Sequence, residues 1–352
     1  MYYLSRKMNG YNITIDIFSL VIIVTSLGII TTSINYFDIN TIHFAYGQAS
    51  QTNSNSDSNN TNTNSLDVQK ISAKKVHVGD IDIAYKVFGK GEPIILIGGV
   101  PLVMDAWPQS LLQELSSDHM VIIFDNRGVG NTTSGTEPFS IEQFANDTSG
   151  LLSALRIHKA DVVGFSVGSL IAQELTLMHP AMVNRLVLYA SECGGKESIS
   201  PSPQAGQEIL SNPQALSSVI KNPSQTANAF LPLLFPQKFI EENPSFISKF
   251  LTMFQTLKEI DPPATIVRQL QALGNWAGSC SQLSKISIPL LVITGTEDVA
   301  VPAANSLIIV QKIPGSWLVQ IKGAGHGLMY QYPETFNKVL QTFLTTTTIT
   351  SS

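Results

Sequence analysis

The sequence has few charged residues and no surplus of positive charge. Only 13% of its 352 residues are charged, and 26 Asp and Glu residues outnumber 21 Lys and Arg, which gives a net charge of −5. A nucleic-acid-binding protein normally presents a basic surface, so this balance argues against nucleic acid as a partner. Apolar residues make up 43% of the chain, so the chain as a whole is not intrinsically disordered.

Cysteine and histidine are also scarce. Two cysteines cannot form a disulfide framework or a four-cysteine zinc site. The six histidines are scattered and show none of the short spacings typical of metal ligands. This scarcity argues against a metal site. The mechanism that we expect from the motifs described below requires no metal or organic cofactor, and its partner is a small-molecule substrate. The sequence does not indicate an oligomeric state.

The first 47 residues differ from the rest of the chain. Within residues 1–47, Arg6 and Lys7 precede an uncharged stretch whose most apolar part is residues 17–30. Such a stretch is typical of a cleaved secretory signal or of an uncleaved membrane anchor through residues 17–36, and a buried helix is the third alternative. Either of the first two alternatives places the remainder outside the cytoplasmic membrane, as an anchored or a secreted protein.

Beyond this segment, the chain divides by composition and periodicity. Residues 48–66 and 347–352 lack apolar clusters that could offset ordering entropy, so we predict a disordered linker and a disordered tail. Between them, short apolar runs alternate with helical patterns over residues 67–191 and 288–346. Such alternation predicts an α/β fold whose mainly parallel sheet has helices on both faces. Residues 192–287 contain no convincing strand and many prolines, which indicates an inserted helical cap.

A serine lies in a pattern that suits a nucleophile. Residues 164–168 read Gly-Phe-Ser-Val-Gly, after a predicted strand and before a predicted helix. A strained turn in this context projects the hydroxyl of Ser166 above the end of the sheet, and the flanking glycines avoid steric collisions. The pattern therefore predicts a nucleophile elbow rather than an ordinary turn.

A serine nucleophile needs a base, which is held in turn by an acid. His326 follows a predicted strand at residues 317–321, and Asp298 follows the strand at residues 290–294. Because the carboxyl ends of parallel strands meet at one edge of a sheet, we expect both side chains near Ser166. Glu192, which follows another strand, is the alternative acid.

The anion that forms on an attacked carbonyl group needs preorganised donors. We assign one donor to the backbone N–H of Val167, at the start of the helix after the nucleophile. The second donor is assigned to Val100, in the loop that follows the predicted strand at residues 94–97. Gly98 and Gly99 shape that loop.

Taken together, these motifs resemble the α/β-hydrolase superfamily, in the subgroup with an inserted helical cap. The resemblance covers about residues 76–345, and residues 125–132 look like an architectural loop of that family. One difference is that many members have His-Gly where this chain has Gly98-Gly99. The resemblance implies a serine hydrolase with an acyl-enzyme mechanism, acting on carboxylic esters or lactones. The alternatives are an aminopeptidase, a carbon–carbon bond hydrolase and a non-catalytic ligand-binding or signalling member.

Large apolar side chains of the cap and of the loop after residue 97 are candidates for a substrate pocket. We assign substrate contact to Met104, Trp107, Phe235 and Phe254, with a medium apolar group as the expected ligand. The alternative is that such residues form the small core of the cap and its seam with the sheet. Further candidates in the cap are Phe230, Leu231, Leu234, Phe250, Met253 and Trp276.

The two cysteines lie near the two ends of the predicted cap. If the protein is exported, oxidising conditions could join Cys193 to Cys280 and staple the base of the cap. The alternative is two unpaired buried thiols, which the sequence slightly favours.

Overall fold

The structure is a computed structural model that describes residues 4–8, 11–15, 43–47, 66–201, 223–256 and 263–346. The chain divides into two compact units, residues 1–39 and residues 40–352. The predicted signal or anchor stretch lies outside the described residues, as do most of the linker and the tail. Within the described part of the chain, no helix is both long and apolar enough to cross a membrane.

The first unit contains an antiparallel hairpin of β1 (Leu4–Met8) and β2 (Tyr11–Ile15). Nine further strands form one sheet in the described part of the second unit. In chain order they are β3 (His43–Gly47), β4 (Lys74–Val78), β5 (Ile81–Gly89), β6 (Glu92–Ile97), β7 (His119–Phe124), β8 (Ala160–Phe165), β9 (Val183–Tyr189), β10 (Leu290–Gly295) and β11 (Trp317–Ile321).

The spatial order of the sheet is β3-β11-β10-β9-β8-β6-β7-β5-β4. In this spatial order, the seven neighbouring strands β3, β11, β10, β9, β8, β6 and β7 are parallel. Strand β5 is antiparallel to β7, and β4 is antiparallel to β5 at the other edge. The predicted α/β fold with a mainly parallel sheet is thereby confirmed. The edge strand β3 falls in the segment that the sequence assigned to a signal or anchor. It pairs with β11, whose outer edge would otherwise leave backbone hydrogen-bonding groups unpaired.

Helices cover both faces of this sheet, because apolar side chains of its central strands point to both sides. In β6, Ile94 and Leu96 join one core, whereas Ile95 and Ile97 join the other. The helices of the sheet region are α1 (Gln109–Asp118), α2 (Ile141–Ala154), α3 (Val167–Met178), α8 (Ala304–Lys312), α9 (Leu328–Gln331) and α10 (Pro333–Thr345). Side chains of α1 and α10 join the first core, and those of α2, α3 and α8 join the second.

Four α-helices lie between β9 and β10 in the described residues, and no strand interrupts them there. They are α4 (Pro223–Leu234), α5 (Gln237–Glu242), α6 (Pro244–Thr256) and α7 (Pro263–Asn275). Three of them begin at a proline, a residue well suited to the first position of a helix because that position needs no N–H donor. The prolines of this region therefore mark helix starts as well as interruptions.

Cys193 and Cys280 form a disulfide bond, so the expectation of unpaired thiols is wrong. The backbone brings the two residues together, because the N–H groups of Ser279 and Cys280 both donate to the carbonyl of Cys193, at 2.8 and 3.2 Å. The Cα atoms are 4.9 Å apart, within the range that a disulfide requires. The bond joins the beginning of the cap to its end.

Candidate active site

Ser166 lies on a sharp turn between β8 and α3. Its φ of 54° and ψ of −124° place it in a region that residues with side chains rarely adopt. A Cβ atom at Gly164 would lie 2.4 Å from the carbonyl oxygen of Gly168, and one at Gly168 would lie 2.1 Å from that of Ile97. Both glycines are therefore required by close backbone packing, which explains the pattern seen in the sequence.

The loop after β6 approaches this turn closely. A Cβ atom at Gly99 would lie 2.8 Å from the Cβ of Ser166, so only glycine fits there without a shift. The side chain of Asn126 holds the loop from below by donating to the carbonyl of Gly98 at 3.0 Å. The neighbouring Asp125 accepts a hydrogen bond of 2.7 Å from the backbone N–H of Met104. The predicted architectural loop, residues 125–132, therefore fixes the connection between β6 and α1 beside Ser166.

Three predicted side chains meet in a hydrogen-bonded series. His326 Nε2 lies 3.0 Å from Ser166 Oγ, and His326 Nδ1 lies 2.8 Å from Asp298 Oδ2. With its proton on Nδ1, the imidazole donates to the carboxylate and can accept the serine proton. The other carboxylate oxygen of Asp298 accepts from the backbone N–H groups of Ala300 and Val301, at 3.0 and 2.8 Å.

The parallel register explains why residues so distant in sequence converge. Phe165 and Ile293 each pair with Tyr189 in neighbouring strands, and Gly295 pairs with Ile321. The strands that precede Ser166, Asp298 and His326 therefore end at the same edge of the sheet. From β6 the chain continues to β7 on one side, and from β8 it continues to β9 on the other side. The edge between β6 and β8 is therefore a topological switch point, where ligands commonly bind.

Aromatic residues hold the imidazole in place. The hydroxyl of Tyr189 donates to the backbone carbonyl of His326, and complete burial raises the pKa of this phenol, which keeps its proton in place. The ring of Phe165 stacks on Tyr189 at 4.7 Å and lies 5.1 Å from the imidazole, centroid to centroid. Sequence reasoning did not assign these two residues a role. Their positions at the last residues of β8 and β9 could have suggested one.

A cavity of about 290 Å³ opens beside Ser166 and His326. Val100 and Val167, the assigned oxyanion donors, both lie in its wall. Val167 is the first residue of α3, where backbone N–H groups have no acceptor within the helix. The remaining wall residues are Pro101, Leu102, Phe165, Glu192, Ser200, Pro201, Phe230, Leu233, Leu234, Phe250, Leu270, Leu273, Ala300, Val301 and Tyr330.

Three of the four assigned substrate-contact residues do not line this cavity. Met104, Trp107 and Phe235 are each at most 3% exposed and belong to the core beneath it. The indole of Trp107 packs edge-on against the ring of Phe165, with 6.4 Å between the ring centroids. The apolar surface of the indole is thus used in core packing. The side chain of Phe254 lies outside the described residues. The structure therefore corrects the assignment for Met104, Trp107 and Phe235, whereas that for Phe254 stays a prediction.

The cap instead contributes other apolar residues to the wall. Three of the further candidates, Phe230, Leu234 and Phe250, do line the cavity, and Leu270 and Leu273 of α7 complete its cap side. The sequence does not reveal which face of a cap helix points towards the sheet, because almost every face of α4 carries apolar residues.

Glu192 also lies in the cavity wall, but it does not contact His326 in place of Asp298. Burial raises the pKa of its carboxyl group, and the neighbouring Ser198 hydroxyl offsets part of that rise. The alternative acid is thus a wall residue, whereas Asp298 holds the imidazole.

The order of the strands and the strand–serine–helix turn define a known class of protein. A family model described as alpha/beta hydrolase fold matches residues 92–333. The protein belongs to this family, and it is a hydrolase of the α/β fold.

Similar proteins have several named activities. A putative carbamate hydrolase from Azorhizobium caulinodans is 25% identical over 268 residues, covering 76% of this chain and 96% of that protein. A putative non-heme bromoperoxidase from Mycobacterium tuberculosis is 28% identical over 267 residues, covering 75% and 97%.

Solved structures show the same fold. An enol-lactonase from Burkholderia xenovorans superposes with a TM-score of 0.66 at 23% identity, covering 78% of this chain and all of that one. A thermophilic esterase from Thermogutta terrifontis superposes with a TM-score of 0.65 at 24% identity, covering 77% and 98%.

Proposed function

We propose that the protein is a serine hydrolase that cleaves carboxylic esters or lactones through an acyl-enzyme intermediate. The observation that carries the proposal is the hydrogen-bonded series from Ser166 through His326 to Asp298 at the mouth of a cavity. An imidazole that is held by a carboxylate can take the serine proton during attack on an acyl carbon.

In the first step, Ser166 Oγ attacks the acyl carbon while His326 Nε2 takes its proton. Asp298 holds the ring and stabilises the imidazolium that forms. The N–H groups of Val167 and Val100 are the proposed donors to the oxyanion. His326 then returns the proton to the leaving alcohol, and the acyl group remains on Ser166.

In the second step, water takes the place of the alcohol. His326 removes a proton from the water as it attacks the acyl carbon, and Ser166 Oγ leaves with the returned proton. The cycle consumes one water molecule and releases the acid. Apart from this water molecule and the substrate, the steps use only side-chain and backbone groups of the chain.

The shape of the cavity supports a medium-sized apolar group in the substrate. Its wall is mainly apolar, and its volume of about 290 Å³ is at the lower end of the range for small-molecule sites. The names of the esterase and lactonase with the same fold agree with this substrate class.

A panel of nitrophenyl esters of increasing acyl length, together with simple lactones, tests the proposal. We expect turnover that peaks at a medium chain length, and a loss of about 10⁴-fold or more in Ser166→Ala. Circular dichroism of the variant provides the folding control. Equal rates in the two proteins would contradict the proposal, and a flat chain-length profile would remove its substrate part.

We also infer that the folded unit lies outside the cytoplasmic membrane, either anchored or secreted. The disulfide between Cys193 and Cys280 supports this location, since such bonds persist mainly in oxidising compartments. Fractionation of expressing cells tests the inference, and recovery of the reduced protein from the cytoplasm alone would contradict it.

A further inference from the structure

The cavity wall carries one carboxyl group that the proposed mechanism does not use. Glu192 lines the cavity together with Ser166 and His326, and no lysine or arginine accompanies it among the wall residues that the structure describes. It forms no ion pair with any described residue. A carboxylate that lacks a counter-charge among the residues seen in the structure makes this cavity attractive to cations and repulsive to anions.

The position of Glu192 is fixed by its backbone. Its carbonyl accepts a hydrogen bond of 2.8 Å from the side chain of Gln173, which lies on the helix that follows the nucleophile. The same amide group donates to the hydroxyl of Ser191 at 2.9 Å. The next residue, Cys193, is joined to Cys280 by the disulfide. Glu192 is therefore anchored to the sheet region and to the end of the cap, so little ordering is needed when a ligand binds.

The surroundings of this carboxyl group indicate which kind of cation would fit. Phe165, Phe230, Phe250 and Tyr330 line the same cavity, whose wall is otherwise mainly aliphatic. Aromatic rings attract cations, and alkylated ammonium groups are the ligands that such surroundings suit best. A primary ammonium group would bring three N–H donors into a wall that offers few acceptors.

Burial raises the pKa of Glu192, which reflects the cost of keeping a carboxylate in this partly dry place. A bound cation would reduce that cost, because an opposite charge nearby stabilises the ionised form. Ligand charge and wall charge would then complement each other.

We propose that Glu192 makes the cavity selective for esters that carry an alkylated ammonium group. The carboxylate supplies the counter-charge, while the aromatic and aliphatic wall holds the alkyl substituents. The proposal rests on the proposed function, because hydrolysis at Ser166 reports the selectivity. Glu192 acts as a specificity-determining residue and makes or breaks no bond.

Two esters of nearly equal shape test the selectivity. Butyrylcholine carries a trimethylammonium group, and 3,3-dimethylbutyl butyrate replaces it with an uncharged tert-butyl group. At about pH 8, where an ordinary carboxyl group is ionised, we expect the wild type to favour the cationic ester. In Glu192→Gln, the ratio of the two kcat/KM values should fall about tenfold, mainly through KM of the cationic ester. The rate on the neutral ester should change much less than the rate on the cationic ester, and circular dichroism of the variant provides the folding control.

Two further variants separate charge from structure. Glu192→Asp keeps the charge and should retain most of the selectivity. Glu197→Gln removes a carboxylate from an exposed site on the same segment, where it pairs with Lys312 at 2.6 Å, and should leave the ratio unchanged. An unchanged ratio in Glu192→Gln, or an equal fall in Glu197→Gln, would overturn the proposal.

A binding measurement distinguishes failure of this proposal from failure of the proposed function. Calorimetry measures binding of phenyltrimethylammonium and of the anion 4-phenylbutyrate to Ser166→Ala, which retains Glu192. Preferential binding of the cation, weakened about tenfold by adding Glu192→Gln, would support the subsite even if neither ester were hydrolysed. Equal binding of cation and anion would overturn it whatever the hydrolytic activity.

Discussion

The edge of the sheet and the cap contribute to the same cavity in different ways. At the sheet edge, Ser166, His326 and Asp298 are held by directional hydrogen bonds of 2.8 to 3.0 Å, on loops fixed by strand register. The cap lines the cavity with apolar side chains such as Phe230 and Leu270, whose contacts are not directional. The comparison teaches that small displacements should impair chemistry at the sheet edge, whereas changes in the cap should mainly alter stability and selectivity.

The largest expected effect comes from the acid of the hydrogen-bonded series. Asp298→Asn keeps an oxygen for the N–H groups of Ala300 and Val301 but presents an amide N–H to His326. Because the imidazole must then accept at Nδ1, its own proton moves to Nε2. A protonated Nε2 can no longer accept the proton of Ser166. We expect kcat for a simple ester to fall about 10⁴-fold.

The melting temperature of Asp298→Asn, measured beside the wild type, is its control. A similar temperature with the expected loss of rate would show that hydrogen-bond direction matters at this edge. Retention of most of the rate would contradict that view and favour a different acid.

The second test concerns the disulfide at the base of the cap. Its cysteines are 87 residues apart in sequence, so replacing both with serine releases a long loop in the unfolded chain. We expect the free energy of unfolding to fall by about 4 kcal/mol, measured by urea denaturation. The rate on a small ester at low temperature should fall far less, because neither cysteine lies in the strands that precede the three site residues.

The wild type treated with a reducing agent is the matched sample for this double variant. If stability were unchanged while ester hydrolysis collapsed, the cap base would be part of the chemical machinery. That result would remove the contrast between the two regions.

The smallest effects come from two glycines, one in each region. Gly99→Ala places a methyl group 2.8 Å from the Cβ of Ser166, and we expect displacement of the turn to lower ester hydrolysis about 100-fold. Gly274→Ala in α7 meets nothing within 4 Å, and should raise the free energy of unfolding by about 0.5–1 kcal/mol. Rate and urea denaturation measured on both variants give the comparison. Similar effects of the two substitutions would contradict it.

The same contrast explains what could be predicted from the sequence. The turn at Ser166 and the loops that carry Asp298 and His326 follow strands with clear apolar runs, so their meeting at one sheet edge follows from parallel pairing. The glycines that close backbone packing requires around Ser166 are directly visible in the sequence as a Gly-x-Ser-x-Gly pattern. The predicted α/β fold with a mainly parallel sheet is confirmed by the structure and by the family match.

The cavity wall could not be predicted in the same way. An apolar residue fits a buried core and a pocket wall equally well, and Trp107 and Phe235 prove to be in the core. The pairing of Cys193 with Cys280 depends on backbone contacts between segments 87 residues apart, which no local pattern reveals. Edge strand β3 was missed because its pairing partner, β11, lies at the far end of the chain.

Covalent labelling of the intact protein with a fluorophosphonate tests most directly whether the convergent side chains act as a nucleophilic unit. We predict one adduct by mass spectrometry, located at Ser166 in the digested protein and absent from Ser166→Ala. His326→Gln should fold and label far more slowly, since the serine would lack its base. Folded wild-type protein that remains unlabelled, or that is labelled only at another residue, would contradict the account.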